Sequence, residues 1–293
     1  MGKAPDPLLE IKEVTLRFKG LVALNKVSIN VRPGQVTGII GPNGAGKSSL
    51  LNCINNFYRP QEGEIIYNGS IDLRRKKPYE IARLGVARTF QGLEVIRAAT
   101  VIDNILLGRH VHMKRGVLWA GLFYGPSRAE EIAHRRRVEE IMAFLEVGKL
   151  RDRPVGQLAY GQQKLVSIGR AIALEPKLLL LDEPTAGLTF QEKGEVARLV
   201  LRMKSEMGLT QVLIEHDVRL IGELCDYVYV LDFGNVIAEG EPATVLNNPR
   251  VIEAYLGSKA RFGAAPVAAR PGARVEPETN ALGGSDMSGT RQG

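Results

Sequence analysis

The sequence predicts an α/β protein: a parallel-sheet core, preceded by a small antiparallel sheet and interrupted by a block of helices. Three observations carry this. Short, predominantly apolar runs at Val36–Ile40, Leu178–Leu181 and Val212–Ile214 read as strands buried on both faces, the pattern of a parallel sheet covered on each side. The first of them enters a glycine-rich loop, Gly41-Pro42-Asn43-Gly44-Ala45-Gly46-Lys47-Ser48, followed by Leu50, Leu51, Ile54 and Phe57 at helical spacing. Between about residues 100 and 175 the strand pattern disappears and a helical period replaces it.

Taken in order, residues 8–40 predict three strands. Val14, Leu16 and Phe18 alternate, then Val27, Ile29 and Val31, and Pro33-Gly34 turns the chain into Val36–Ile40. Phe18 ends the first strand; its spacing favours a core position, and an exposed platform for an adenine ring is the other reading. After the first helix come a strand at Glu64–Tyr67, a short helix at Tyr79–Leu84 and a strand at Val86–Gln91. Val101–Leu107, Ile132–Val147 and Gln162–Leu174 are helical by period, the middle one expected to bury Ile132, Val138, Ile141, Met142 and Leu145. An apolar stretch at residues 117–126, holding Trp119, reads as a segment packed on the helices or meeting a partner. The sheet resumes at Leu178–Glu183, a helix follows at Gln191–Met207, then the strand Val212–Ile214 and a hairpin turning at Phe233-Gly234-Asn235. Short helices close the domain near Gly257, and residues 258–293, rich in Gly, Ala and Pro, are expected to form a disordered tail.

The 293 residues, 44% hydrophobic, can build a sizeable core. No run is long and apolar enough to span a bilayer, and residues 1–7 lack the apolar region of a signal peptide, so an intracellular protein is expected. Cys53 and Cys225 are far apart and lie in apolar patterns, which reads as packing rather than as a metal site or disulfide. Much of the net charge of +7 lies in clusters such as Arg74–Lys77 and Arg135–Arg137 without interleaved aromatics, which reads as a solvated face, with a position near lipid headgroups as the next reading and a single-strand nucleic-acid groove disfavoured.

The chemistry begins at the glycine-rich loop. A loop that joins a buried strand to a helix N-terminus aims free N–H groups and the positive dipole end at one point, where anions are favoured. Its glycines let the backbone curl round phosphate oxygens, Lys47 reaches the β- and γ-phosphates, and the Ser48 hydroxyl ligates Mg²⁺. Four further polar residues fall at the carboxyl ends of predicted strands, where an open α/β sheet binds its ligand: Gln91, the pair Asp182-Glu183, and His216. Asp182 is placed to approach the ion held by Ser48, and Glu183 to polarise a water facing the γ-phosphate. A surface glutamine and a structural histidine are the ordinary readings of Gln91 and His216 taken alone.

As an ordered set spanning about residues 8–257, these features resemble the ATP-binding subunits of ABC transporters, P-loop NTPases with a RecA-like core. The resemblance identifies Gly41–Ser48, with Ser49 beside it, as the Walker A loop, Gln91 as the Q-loop glutamine and a metal contact, and Leu178–Glu183 as the Walker B strand with its catalytic glutamate. It identifies His216 as the switch histidine and Leu158-Ala159-Tyr160-Gly161-Gln162-Gln163 as the signature, and it moves Phe18 to the adenine-stacking position. Two departures stand out. The usual Ser-Gly-Gly of the signature is Ala159-Tyr160-Gly161, leaving the helix N-terminus and the Gly161 N–H as anion donors, and Thr189 stands where the D-loop usually has aspartate.

The Leu-Ala-Tyr-Gly-Gln-Gln run, Arg88-Thr89-Phe90-Gln91, the Gly121-Leu122-Phe123 to Pro126-Ser127 insertion and Ile214-Glu215-His216-Asp217 look like the larger ATPase of branched-chain amino-acid importers. That resemblance implies ATP and Mg²⁺ as cofactors and a second ATPase subunit, identical or related, completing each site. It also implies membrane permeases and, indirectly, a periplasmic solute-binding protein as partners, a peripheral location on the cytoplasmic face of the inner membrane, and no nucleic acid. Importers of urea, amides or aromatic acids, exporters, and soluble ABC proteins are the alternatives. The last carry tandem cassettes or a coiled-coil insertion that this sequence lacks. A GTPase is disfavoured because no Asn-Lys-x-Asp box follows the loop.

Overall fold

The computed structural model of the chain describes residues 6–90, 92, 94–112 and 126–259, the side chains of 126–130 and 256–259 excepted. Gln91, the apolar residues 117–125 and the C-terminal stretch from residue 260 lie outside the described residues.

The first two strands, β1 (Leu9–Phe18) and β2 (Leu21–Val31), form an antiparallel hairpin across Lys19-Gly20, whose backbones both adopt positive φ (42° and 97°). This is the two-residue turn that matches strand twist. β1 also pairs antiparallel with β4 (Glu62–Tyr67), which continues to β5 (Ile71–Asp72), giving a four-stranded sheet in the order β2-β1-β4-β5. The second sheet runs β10-β9-β3-β8-β7-β6, from β3 (Val36–Ile40), β6 (Val86–Thr89), β7 (Leu178–Asp182), β8 (Thr210–Ile214), β9 (Tyr227–Asp232) and β10 (Asn235–Gly240). Five of these strands are parallel, and β10 joins the edge antiparallel to β9 through the expected hairpin. β3 sits between β8 and β9: the chain leaves it toward β6 on one side, while the connection from β8 crosses it to β9 on the other, a reversal of strand order that places a crevice at the carboxyl ends of these strands.

Alternation along the parallel strands divides their side chains between two cores. Leu178, Leu180, Val212, Ile214, Tyr229 and Leu231 face the antiparallel sheet, with helix α1 (Lys47–Ile54) filling the space through Leu50, Leu51, Cys53 and Ile54. Leu179, Leu181, Leu213, Val228 and Val230 face the other way, against the helical layer. Full burial of a leucine contributes about 1.5–3 kcal/mol relative to exposure, so β7, buried at every position, is held from both sides.

After α2 (Pro78–Arg83) and β6, the expected helical block is present as α3 (Val101–Leu107), α4 (Pro126–Phe144) and α5 (Tyr160–Ile172). Gly169 of α5 meets Ile105 of α3 and Leu145 beyond α4, and a Cβ there would lie 2.6 Å from Leu145 Cδ1, so the absent side chain permits the close approach. The remaining helices are α6 (Phe190–Met207), α7 (Val218–Leu224), α8 (Pro242–Leu246) and α9 (Pro249–Lys259).

Three expectations are corrected. Ile132 is exposed because it points away from the face of α4 that carries the buried His134, Val138, Ile141 and Met142. Phe57 is exposed because α1 ends at Ile54, before it. Phe18 is exposed, since the strand pattern inverts at the hairpin end, where there is no second layer to cover it. Both cysteines are buried and free, and burial pushes each thiol up to about 12. No helix among the described residues is long and apolar enough to cross a membrane.

Candidate functional site

The crevice at the end of β3 is floored by the glycine-rich loop. Its shape depends on glycine at two positions. Gly41 has φ 147°, and a Cβ on it would lie 2.0 Å from the Leu231 carbonyl oxygen; Gly46 has φ 104°, and a Cβ would lie 2.6 Å from the Ala23 carbonyl oxygen. Gly46 precedes α1, whose first turn carries no acidic side chain, so the N-terminal N–H groups of Lys47, Ser48 and Ser49 keep an uncompensated positive end. Asn43, Gly44 and Ser48 are exposed, while Lys47 is buried and donates from Nζ to the carbonyls of Gly41 (2.8 Å) and Pro42 (3.0 Å). Burial lowers the Lys47 pKa, and the nearby carboxylates of Glu183 and Asp182 oppose that shift. The loop is tied at its other side, where Tyr255 Oη of α9 accepts from the Gly41 N–H at 2.8 Å. Burial pushes that phenol up to about 12, so it stays neutral.

Asp182, Glu183 and His216 converge on the same crevice because β7 and β8 are parallel neighbours of β3 and β6. Glu183 Oε1 and His216 Nε2 are 2.7 Å apart. The Glu183 backbone has φ 48°, a conformation that costs a non-glycine residue free energy and that turns its side chain at the end of β7. His216 is aimed in turn by Glu215, whose buried carboxylate accepts from Thr185 N (2.8 Å), Thr185 Oγ1 (2.7 Å) and His216 N (3.2 Å). Lys164, from α5, is also buried; desolvation lowers its pKa, while Glu215, Glu183 and Asp182 counteract this.

Asp182 has one oxygen on protein and one without a hydrogen bond. Oδ2 is 2.8 Å from Arg88 Nη2, and Oδ1 is buried with no partner among the described residues. An unpartnered buried carboxylate oxygen, at a crevice whose loop also carries an exposed serine hydroxyl, fits a hard cation that takes most of its ligands from phosphate and water. Among the described residues there is no cluster of three or more His, Cys, Asp or Glu that could cage a metal by itself.

The signature segment forms the N-terminus of α5, with Tyr160 exposed, Gly161 buried and Gln162 Oε1 accepting from the Ala159 N–H at 3.3 Å. The Gly161 N–H is not left open. The Glu192 carboxyl of α6 is held below its usual range mainly by hydrogen bonds from Thr189, and further by one from the Gly161 backbone. Thr189 donates to Glu192 Oε2 from its N–H (2.9 Å) and its hydroxyl (2.8 Å), so the residue that replaces the D-loop aspartate caps its own helix. Phe18 stands at the rim of the site region's antiparallel sheet, edge-on to Tyr58 with ring centroids 5.0 Å apart.

Sequence reasoning located Lys47, Ser48, Asp182, Glu183 and His216, which the fold gathers at the carboxyl end of one sheet. It passed over Arg88, Thr185, Glu215, Lys164, Glu192 and Tyr255. The available signal was a charged residue within or directly after an apolar strand, as at Arg88 and Glu215, since a charge buried there must be paired.

Known proteins supply an independent comparison. The ABC transporter family matches residues 24–186, and the family described as branched-chain amino acid ATP-binding cassette transporter matches residues 235–261. The high-affinity branched-chain amino acid transport ATP-binding protein BraF of Pseudomonas aeruginosa is 38% identical over 258 residues, covering 86% of this chain and 98% of BraF. A crystal structure of an ABC transporter's ATP-binding cassette in its ADP conformation superposes with a TM-score of 0.75 at 36% identity, over 86% of this chain and 99% of that one. A dimeric cassette in a post-hydrolysis state with ADP and Pi gives 0.67 at 27% identity, over 80% and 98%.

Proposed function

The chain belongs to the ABC transporter ATP-binding proteins, and from that premise we propose that it energises an importer of branched-chain or other hydrophobic amino acids. Hydrolysis is proposed to occur in a composite site, with ATP held between the phosphate loop of one subunit and the signature helix of another. Membrane permeases on the cytoplasmic face are the proposed docking partners, fed by a periplasmic solute-binding protein. The match over residues 235–261 and the likeness to BraF support this solute class.

The observation that carries the catalytic reading is the 2.7 Å contact between Glu183 Oε1 and His216 Nε2 at the mouth of the phosphate loop. Glu183 orients the attacking water and accepts its proton in the transition state; His216 holds the carboxylate and reaches the γ-phosphate. Gly41, Pro42, Asn43, Gly44, Ala45, Gly46, Ser48 and Ser49 wrap the phosphates. Lys47 exchanges its contacts with the Gly41 and Pro42 carbonyls for the β- and γ-phosphate oxygens, where its charge offsets the charge that develops. The exposed Phe18 offers its ring to adenine, and Gln91 reports the γ-phosphate to the permease surface. Ser48 Oγ and Asp182 Oδ1, with Gln91, are the proposed holders of Mg²⁺, and the unpaired Oδ1 fits that role. Bound there, Mg²⁺ supplies positive charge to the phosphate oxygens. Ala159, Tyr160, Gly161 and Gln162 would meet the partner's nucleotide, the Gly161 N–H exchanging Glu192 for phosphate.

Glu183→Gln is expected to abolish ATP turnover while retaining ATP, and to accumulate a nucleotide-sandwich dimer visible by size-exclusion light scattering. Near-normal turnover in that variant would falsify the glutamate's role. Recovery of ribosomes or DNA, and no permease, in a pull-down from membranes would overturn the transport reading.

A further inference from the structure

Arg88 lies at the penultimate position of β6, two residues before the end of the described segment that leads to Gln91. Its side chain is 6% exposed, and one guanidinium meets two elements, β7 and α1, and an aromatic ring. Nη2 donates to Asp182 Oδ2 of β7 at 2.8 Å, and Nη1 donates to Asn52 Oδ1 of α1 at 2.6 Å. The Phe90 ring covers the group at 4.8 Å from its centroid. A buried ion pair is weak evidence for stability, because desolvation consumes most of the attraction. The geometry nevertheless has a specific consequence: of the two Asp182 oxygens, Oδ2 is committed to Arg88 and only Oδ1 remains unpartnered among the described residues.

We propose that Arg88 is a positioning residue that makes Asp182 a one-oxygen cation ligand and locks it to the helix that follows the phosphate loop. Only a planar fork reaches Asp182 and Asn52 together; a lysine ammonium in the same place serves one acceptor well. Asn52 and Ser48 sit four residues apart on α1, so both face the same side of that helix. Arg88 therefore sets the separation between the Asp182 carboxylate and the Ser48 hydroxyl. It also joins the strand leading to Gln91 to the metal-side carboxylate, so a displacement of that strand displaces Oδ1. The inference rests on the proposed reading of Asp182 as a holder of Mg²⁺.

The test is the ADP affinity of the full chain, measured by titration calorimetry in Mg²⁺ and again in EDTA. The ratio of the two is read for the unsubstituted protein, Arg88→Lys, Arg88→Met and Asp182→Asn. Loss of an outer partner of a metal ligand lowers metal affinity about 10–100-fold. Arg88→Lys is expected to lower the Mg²⁺-dependent gain about tenfold while leaving affinity in EDTA unchanged, and Arg88→Met to lower it further. A gain equal to that of the unsubstituted protein in both Arg88 variants overturns the inference. An equal loss in Mg²⁺ and EDTA also overturns it, since that is what loosened packing of α1 produces. Where Arg88→Met does not fold, Arg88→Lys decides. If Asp182→Asn keeps the full gain, the reading of Asp182 as ligand fails, and the inference with it.

Discussion

Thr185 and Glu215 show what single residues contribute to this site. Thr185→Val removes the hydroxyl that donates to Glu215 Oε1 at 2.7 Å and leaves a buried carboxylate with two donors instead of three. Leaving a buried acceptor short of a donor costs about 1–3 kcal/mol, which lowers Tm by about 2–4 °C per kcal/mol in a domain of this size. Thermal unfolding measures that loss, and ATP turnover is expected to fall with it because Glu215 aims His216. Residues of the phosphate loop were legible in the sequence because their role is local: a strand, a glycine turn and a helix start lie in one continuous stretch. Arg88 and Asp182 were not legible as a pair, since they are 94 positions apart and meet only when β6 and β7 align in parallel. Phe18 shows the opposite limit, where period alone favoured the core and only the end of the hairpin exposes it.

At the level of elements, the buried strands were legible because an uninterrupted apolar run such as Leu178–Leu181 has few other uses. Sheet order was not, because every one of these runs suits any central position. Helix α6 starts where its sequence indicates for a local reason: Thr189 and Glu192 form a capping box, with Thr189 Oγ1 accepting from the Glu192 N–H at 3.4 Å. Thr189→Ala removes this cap, and a fall of about 2–4 °C in Tm is expected from the loss of one cap in a domain of this size. The same change frees the Glu192 carboxylate that meets Gly161 at the start of α5. ATP-dependent dimerisation of Thr189→Ala in a Glu183→Gln background, followed by light scattering, is expected to differ from that of Glu183→Gln alone. Identical dimerisation would mean that the Thr189–Glu192 pair serves its own helix only.

Over the whole molecule, two cores share one parallel sheet, so the nucleotide crevice and the helical layer bearing the signature are joined through β7 and β8. No described helix is long and apolar enough to cross a bilayer, and the proposed partners supply the membrane attachment. Alkaline carbonate washing is expected to release the chain from membranes, and deletion of the permease genes to abolish its sedimentation with them; persistence in the pellet without permeases would oppose that assignment. The bond from Gly41 N to Tyr255 Oη spans 214 positions of sequence. During synthesis the loop at 41–48 therefore leaves the ribosome long before the residue that anchors its first N–H has been made. A nascent chain can fold its hairpin and its first helix early, yet its phosphate cradle is finished only after translation has passed residue 255. A polypeptide released short of that point carries every motif named above with a cradle still open at one end.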